Sequence, residues 1–411
     1  MWRFAGGRSI GVLGRQMLSV AVGYELYERT GDPLTLGLVG LVQVIPVFAL
    51  FAPGGALADR FDRRFLSALS AAASAAGCAA LAASSWAVLP VPFFYAVLLF
   101  LGATTSLQSP ASSALLPMLV AKSQLQRANA IRTTGFETAA IAGPALGGFL
   151  LSVWSPWKVY ALASVFVALS AVAYATLPKP RAGISPPHGA DFFVGLRFIF
   201  KSPLLLPALT LDMFAVLFAG ALALLPVFAK DVLHVGPQGL GILRAAPSVG
   251  AVTMALVSTR LRPWARPGRV LLVVVAGYGL ATVGFGLSRW FPLSLFFLAI
   301  SGALDNVSVI IRLTLEQMVV PDSIRGRVGA VHYVFIGMSN ELGELESGVA
   351  AALIGAVPAV VLGGFVAIAW TLFVWKRWPK LVTLPPLHTL TPDQGGGVDS
   401  PVGTSAMPRP P

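Results

Sequence analysis

Apolar stretches long enough to cross a bilayer recur almost to the end of this 411-residue chain, and no other feature limits its possible folds so tightly. As a helix, about 20 mostly apolar residues bridge roughly 30 Å of hydrocarbon. Inside lipid the backbone polar groups must be satisfied within the protein, which leaves helices or closed barrels. Breaks at proline, glycine and charge mark about twelve spans. They lie near 9–27, 34–57, 65–87, 92–119, 128–152 and 159–177, then near 203–229, 237–258, 270–288, 291–318, 328–352 and 356–375. Charged residues are only 11% of the chain, against about 25% in soluble domains. The expected fold is an all-α polytopic membrane protein with the lipid bilayer as a partner.

The net charge of +12 does not point to nucleic acid, because the basic residues form short clusters between spans and no stripe interleaved with aromatics. Connections after even-numbered spans hold fifteen Lys and Arg, those after odd-numbered spans four. By the positive-inside rule both termini are expected in the cytoplasm, in a multi-pass protein of a bacterial-type cytoplasmic (inner) membrane. The apolar core of the first stretch is broken by Arg15 and followed by Tyr24 and Glu25, so it reads as a polar-lined span and not as a removed signal. The single cysteine, Cys78, excludes internal disulfides and multi-Cys metal sites.

The longest connection splits the chain into halves. The expected units are an N-terminal six-helix bundle (1–178), a linker (179–202), a C-terminal bundle (203–378) and a disordered Pro/Gly-rich tail (379–411). Within the linker, Phe192, Phe193, Leu196, Ile199 and Phe200 alternate with Arg197 and Lys201 as in a helix lying in the membrane interface.

The halves repeat one another. At an offset of 200, residues 117–148 and 317–348 share Met118/Met318, Val120/Val320, Ser123/Ser323, Arg127/Arg327, Ala130/Ala330, Gly143/Gly343 and Gly148/Gly348; at 201, Gly40 and Pro46 meet Gly241 and Pro247. Two parallel six-helix halves are an architecture of secondary transporters, with the substrate between them near the midplane. No phosphate loop, HExxH or G-x-S-x-G elbow supplies another chemistry, so the chain reads as a carrier, with no enzymatic activity, cofactor or metal expected.

One loop interrupts the apolar pattern. "GGALADRFDRR", residues 54–64, places Asp59, Arg60, Asp62, Arg63 and Arg64 after a glycine pair. A charged anchor explains the arginines. A gate also explains the rest: the glycines allow close helix packing, and an acid can cap a helix or pair with an arginine of the other half. Gly55-x-x-x-Asp59-Arg60-x-x-Arg63-Arg64 resembles the loop signature of the major facilitator superfamily, with Asp62 in place of its second glycine. The resemblance implies that Asp59 latches the halves in the outward-facing state. At the equivalent place in the second half stands Arg260, so the latch is expected to be one-sided.

"GPALGG", with Gly143, Pro144, Gly147 and Gly148, resembles the motif of superfamily exporters; the bland alternative is a small-residue packing face. "PDSIRGRV" and "SNELGELESG" resemble the enterobactin-exporter-like branch of siderophore and macrolide exporters. The fourth span lacks the arginine that many drug/proton antiporters carry there, which leaves the usual form of proton coupling open.

A charge at the bilayer centre costs roughly 2.5–3.5 kcal/mol on insertion scales, so charges within spans line cavities or pair. Glu25, Arg132, Glu316 and His332 lie near helix ends and are expected to reach for water. Arg312 and Glu316, four apart, suggest a local pair. The coupling or cavity candidates are Arg15, Glu137, Asp212, Arg244, Asp305, Arg312, Glu341 and Glu344. Glu341 and Glu344 share a helical face, and one of two adjacent carboxylates in a low dielectric is a candidate proton carrier. The alternative is a structural network tying the eleventh span to Arg312 or Arg244.

The expectation is a monomeric secondary transporter that exports a small amphipathic compound, siderophore- or macrolide-like, in exchange for protons. The alternatives are a lysophospholipid flippase or nutrient importer of the same fold and, from another class, a non-transporting scaffold.

Overall fold

The computed structural model describes residues 2–178 and 192–390, with the side chains of 51–60, 114, 122, 192 and 333 outside that description. No strand occurs among the described residues. The first bundle comprises α1 (Trp2–Thr30), α2 (Pro33–Arg60), α3 (Arg63–Trp86), α4 (Val91–Leu119), α5 (Leu125–Val153) and α6 (Pro156–Ala175). After α7 (Phe192–Lys201), the seventh span is interrupted. Its first part, α8 (Leu205–Ala219), ends at Gly220, and the chain continues through a 3-10 turn (Ala221–Leu224), the single turn α9 (Leu225–Val227) and a π-helical turn (Phe228–Val232). Then follow α10 (Gly236–Ser258), α11 (Pro267–Leu287), α12 (Phe291–Val319), α13 (Arg325–Ile354), α14 (Ala356–Arg377) and the short α15 (Pro379–Val382).

Local chemistry sets the helix ends. Proline sits in the first turn of α4, α6, α10, α11 and α12, where its missing N–H costs nothing. Gly31 ends α1 at φ +64°, with its N–H on the Tyr27 carbonyl at 2.9 Å.

Ten of the long segments are apolar enough to cross a membrane by length and composition. The remaining two of the expected twelve, α1 and α13, are long helices that carry arginines and glutamates along their length. They are tolerated because they pack against the other helices and border the space between the halves. An even number of crossings returns the chain to its starting side, here called the terminal face; the opposite side is the far face.

The two six-helix bundles are related by pseudo-symmetry and meet mainly through α2 against α13 and α5 against α10. The repeat's glycines sit at equivalent contacts. A Cβ on Gly148 would stand 2.7 Å from the Gly241 Cα, and one on Gly348 2.5 Å from the Gly37 Cα. Within the halves, Gly143 lies against Leu13 and Gln16 of α1, and Gly343 against Val216 and Leu217 of α8. Gly302 on α12 lies against Pro247 of α10, while Gly102 on α4 takes the same place against Pro46 of α2.

One expectation changes. Residues 379–390, assigned to a disordered tail, fold back under the second bundle: Leu381 and Leu384 are buried, and Gly268 of α11 abuts the Leu381 carbonyl. Leucines spaced among prolines carry no helical period, so the sequence conceals this packing. The linker helix α7 rests on α13, with Gly195 against the Arg327 carbonyl. Its Phe198 and Ile199 are buried while Phe193 and Phe200 are exposed. Linker residues 179–191 and tail residues 391–411 lie outside the described residues.

Gly302→Val should lower the apparent Tm in detergent by several degrees, since overpacking a helix contact costs about 1–3 kcal/mol. Gly6→Ala, in α1 where nothing lies within 4 Å, should not lower it. A thermal shift assay on both variants checks this.

Candidate functional site

A cavity of about 130 Å³ lies between the halves. The first half contributes Arg15, Ser19, Gln43, Ser74 and Thr105; the second contributes Arg244 and Glu344, with Ala223 and Pro226 beside the break in the seventh span. Leu18, Val22, Leu36, Val39, Leu98 and Leu101 form an apolar wall. Arg15 Nη1 donates to Gln108 Oε1 at 3.4 Å, and Arg8 to Ser112 Oγ at 2.9 Å. Arg244 Nη2 donates across the halves to Ser19 Oγ at 2.6 Å. Glu344 and Glu341, one turn apart on α13, are the acidic charges acting on Arg244. The cavity thus joins an arginine from each half to a carboxylate pair from one.

The cavity is closed toward the far face. The Tyr27 hydroxyl donates to the Asp231 carboxylate, Lys230 pairs with Glu28 at 2.9 Å, and Gln238 donates to Ser152 at 2.8 Å. Lys230 and Asp231 both ride the π-helical turn, whose wider winding presents adjacent residues to α1. Toward the terminal face α5 and α10 lose burial. The buried residues of α5 fall from Ala139 onward except for Ala128, and those of α10 end at Gly250.

A second charged cluster lies inside the second bundle. The buried Arg312 of α12 pairs with Asp212 of α8 and donates through Nε to Ser308 Oγ at 3.2 Å. Asp305, two turns from Arg312, lies within electrostatic reach of both. Arg312 therefore does not pair locally with Glu316. That carboxylate meets the His332 ring at 2.5 Å, and both residues are buried, not reaching for water. Glu25 is buried too, paired with Arg29 and accepting from Ser85 at 2.8 Å. For Glu316 and His332 the partner stands on the neighbouring helix, a choice that spacing along one helix cannot show; Glu25 joins Ser85 of α3 to its own-helix partner Arg29.

The structure divides the candidate residues. Arg15, Arg244 and Glu344 line the central cavity with Glu341 beside them; Asp212, Asp305 and Arg312 form the inner cluster; Glu137 is half-buried on the less buried stretch of α5. Gly55, Asp59 and Arg60 belong to the last turns of α2, and their side chains lie outside the described residues. Arg64 Nη1 donates to the Leu177 carbonyl at 2.7 Å, and Arg63 approaches Met118. Asp62 caps α3, accepting from the Arg64 N–H at 2.8 Å. In GPALGG, Gly147 packs on Met17 of α1, and the Pro144 carbonyl faces Gly241. The far-face residues Tyr27, Glu28, Lys230 and Asp231 escaped the sequence reading; opposite charges in the equivalent connections after spans one and seven were the available signal.

Comparison with known proteins agrees with this geometry. Enterobactin exporter EntS of Citrobacter koseri is 28% identical over 366 residues, covering 87% of this chain and 86% of that protein. EntS of Shigella flexneri is 29% identical over 360 residues, covering 86% and 84%. Among solved structures, a POT family transporter in complex with 5-aminolevulinic acid superposes with a TM-score of 0.75 at 12% identity, over 92% of this chain and 96% of that one. An inward-facing bacterial homolog of the lysosomal transporter Spinster gives 0.70 at 15%, over 92% and 95%. The sequence profile of the Major Facilitator Superfamily matches residues 4–344, and the chain belongs to that superfamily.

Proposed function

We propose that this protein exports a small amphipathic organic compound by alternating access, in exchange for protons. The observation that carries the reading is the central cavity: it draws charged residues from both halves, is bridged at the far face and is bordered toward the terminal face by less buried stretches of α5 and α10. The arginine and lysine bias of the loops supports a cytoplasmic terminal face. The described state then faces the compartment from which an exporter collects its substrate. The relatives named enterobactin exporter make a siderophore the first compound to test.

The apolar wall suits a hydrophobic body and the polar groups suit hydrogen-bonding substituents, the usual division in small-molecule sites. Glu341 and Glu344 are assigned the proton. Two carboxylates facing one guanidinium can hold one proton without leaving a net buried charge among the three. The far-face contacts suit a gate that must reopen. Lys230 and Glu28 are 41% and 50% exposed, and exposed ion pairs contribute only about 0–1 kcal/mol.

In proteoliposomes enclosing a pH dye, enterobactin added under an imposed proton gradient should drive proton movement, and Glu341→Gln should slow it at least tenfold. Enterobactin flux with no proton movement would sink the exchange, and absence of flux across a panel of siderophores, macrolides and lysophospholipids would sink the exporter reading.

A second prediction concerns the gate. Bridging Ser152→Cys to Gln238→Cys with a short bis-methanethiosulfonate should stop transport, and dithiothreitol should restore it. Transport that continues in the bridged protein would show that the far face need not open.

A further inference from the structure

A second cavity, of about 150 Å³, lies wholly within the second bundle where the seventh span breaks. It is lined by the Ala219–Gly220 backbone at the end of α8, Tyr278 and Thr282 of α11, Ser301 and Asp305 of α12, and Asn340 of α13. The break matters because the last carbonyls of a helix have no intrahelical partner and carry its negative dipole end. In transporters, unwound backbone of this kind is where coupling cations are held.

Three oxygens converge with unusual spacing. The Tyr278 and Thr282 hydroxyls each stand 3.4 Å from the Ala219 carbonyl oxygen. That is long for an O–H···O bond, whose usual range is about 2.5–3.0 Å. It matches the edge of an octahedron with metal–oxygen distances of about 2.4 Å, the Ca²⁺-sized range that Na⁺ shares; the shorter bonds of Mg²⁺ give edges of about 2.9 Å.

The charge is also right for a monovalent ion. Arg312 is committed to Asp212, so one guanidinium serves two carboxylates and Asp305 is left uncompensated. No hydrogen bond or ion pair to Asp305 is found among the described residues. Nor does any group of three His, Cys, Asp or Glu side chains converge there, so the oxygens on offer suit an alkali ion better than a transition metal.

We propose that Asp305, the Ala219 carbonyl and the hydroxyls of Tyr278 and Thr282 form a Na⁺ site that pins the break in the seventh span to α11 and α12. The site is distinct from the central cavity and does not depend on what is exported there.

The test is equilibrium binding of ²²Na⁺ to the detergent-purified full-length protein at pH 8, without substrate, with choline replacing Na⁺ as the control salt. Saturable binding of about one ion per chain is expected. Asp305→Asn and Thr282→Val should each weaken it at least tenfold, and Thr210→Val, a hydroxyl elsewhere on α8, should not change it. No saturable binding, or binding that survives both substitutions, overturns the site, as does a group that takes only protons, since ²²Na⁺ then fails to bind at any pH. Should Asp305→Asn fail to fold, Thr282→Val and the wild type decide. Na⁺ in place of choline should raise the wild-type Tm by several degrees but not that of Thr282→Val, and equal Tm values in the two salts overturn the proposal. Because no substrate is present, loss of the exporter reading leaves this result standing, and the reverse holds too.

Discussion

The halves of this protein meet where glycine faces glycine. Lipid tails are as apolar as leucine, so nothing hydrophobic drives two membrane helices together; close backbone packing must do it. Gly148 against Gly241 and Gly348 against Gly37 let α5 approach α10 and α13 approach α2 without interlocking side chains. At these glycines separation strips no side-chain hydrogen bond, whereas beside the cavity it would break that from Arg244 to Ser19. Of the contacts added at its edge, Glu28–Lys230 is half-exposed and weak, while the buried Tyr27 donates to the exposed Asp231 carboxylate. Ion pairs and side-chain packing inside each half, set against glycine contacts and edge contacts between the halves, is the division that alternating access requires.

Charge follows the same division. Within the halves, Arg312–Asp212 is buried between neighbouring helices, and the Glu25–Arg29 pair of α1 is tied to its neighbours through Ser85 and the Leu89 carbonyl. Arg15, Arg244 and Glu344 instead border the space between the halves. This is why α1 and α13 are the least lipid-like of the long helices. Polar residues cost least where two bundles enclose water or cargo, so lowered apolarity in an otherwise greasy chain marks the transport path.

Much of this was readable in advance, for physical reasons that differ from residue to residue. The repeat identities match equivalent close approaches, Gly143/Gly343 within each half and Gly148/Gly348 across the halves, and a Cβ would break any of them. The charged residues were legible as a set, since few explanations exist for an arginine in hydrocarbon. Their partners were not. Glu316 bonds to His332 across a loop and Arg312 to Asp212 across the bundle, separations that no period along one helix reveals. The break at Gly220 was hidden for a related reason: its flanks are uniformly apolar, and hydropathy does not distinguish a helix from a 3-10 turn with the same composition.

The chain from Trp378 to Leu390 has a consequence of another kind. With Leu381, Leu384 and Leu390 buried beneath α11 and α12, the second bundle does not stop at its last membrane helix but carries a floor at the water boundary. A floor fastened to one half moves as that half moves. Thr389 is thus a rigid handle outside the membrane for the second bundle, as exposed Gln126 at the start of α5 is for the first. The distance between probes at these two points reads the tilt of one half against the other directly, without a label in the cavity or a substrate to fill it.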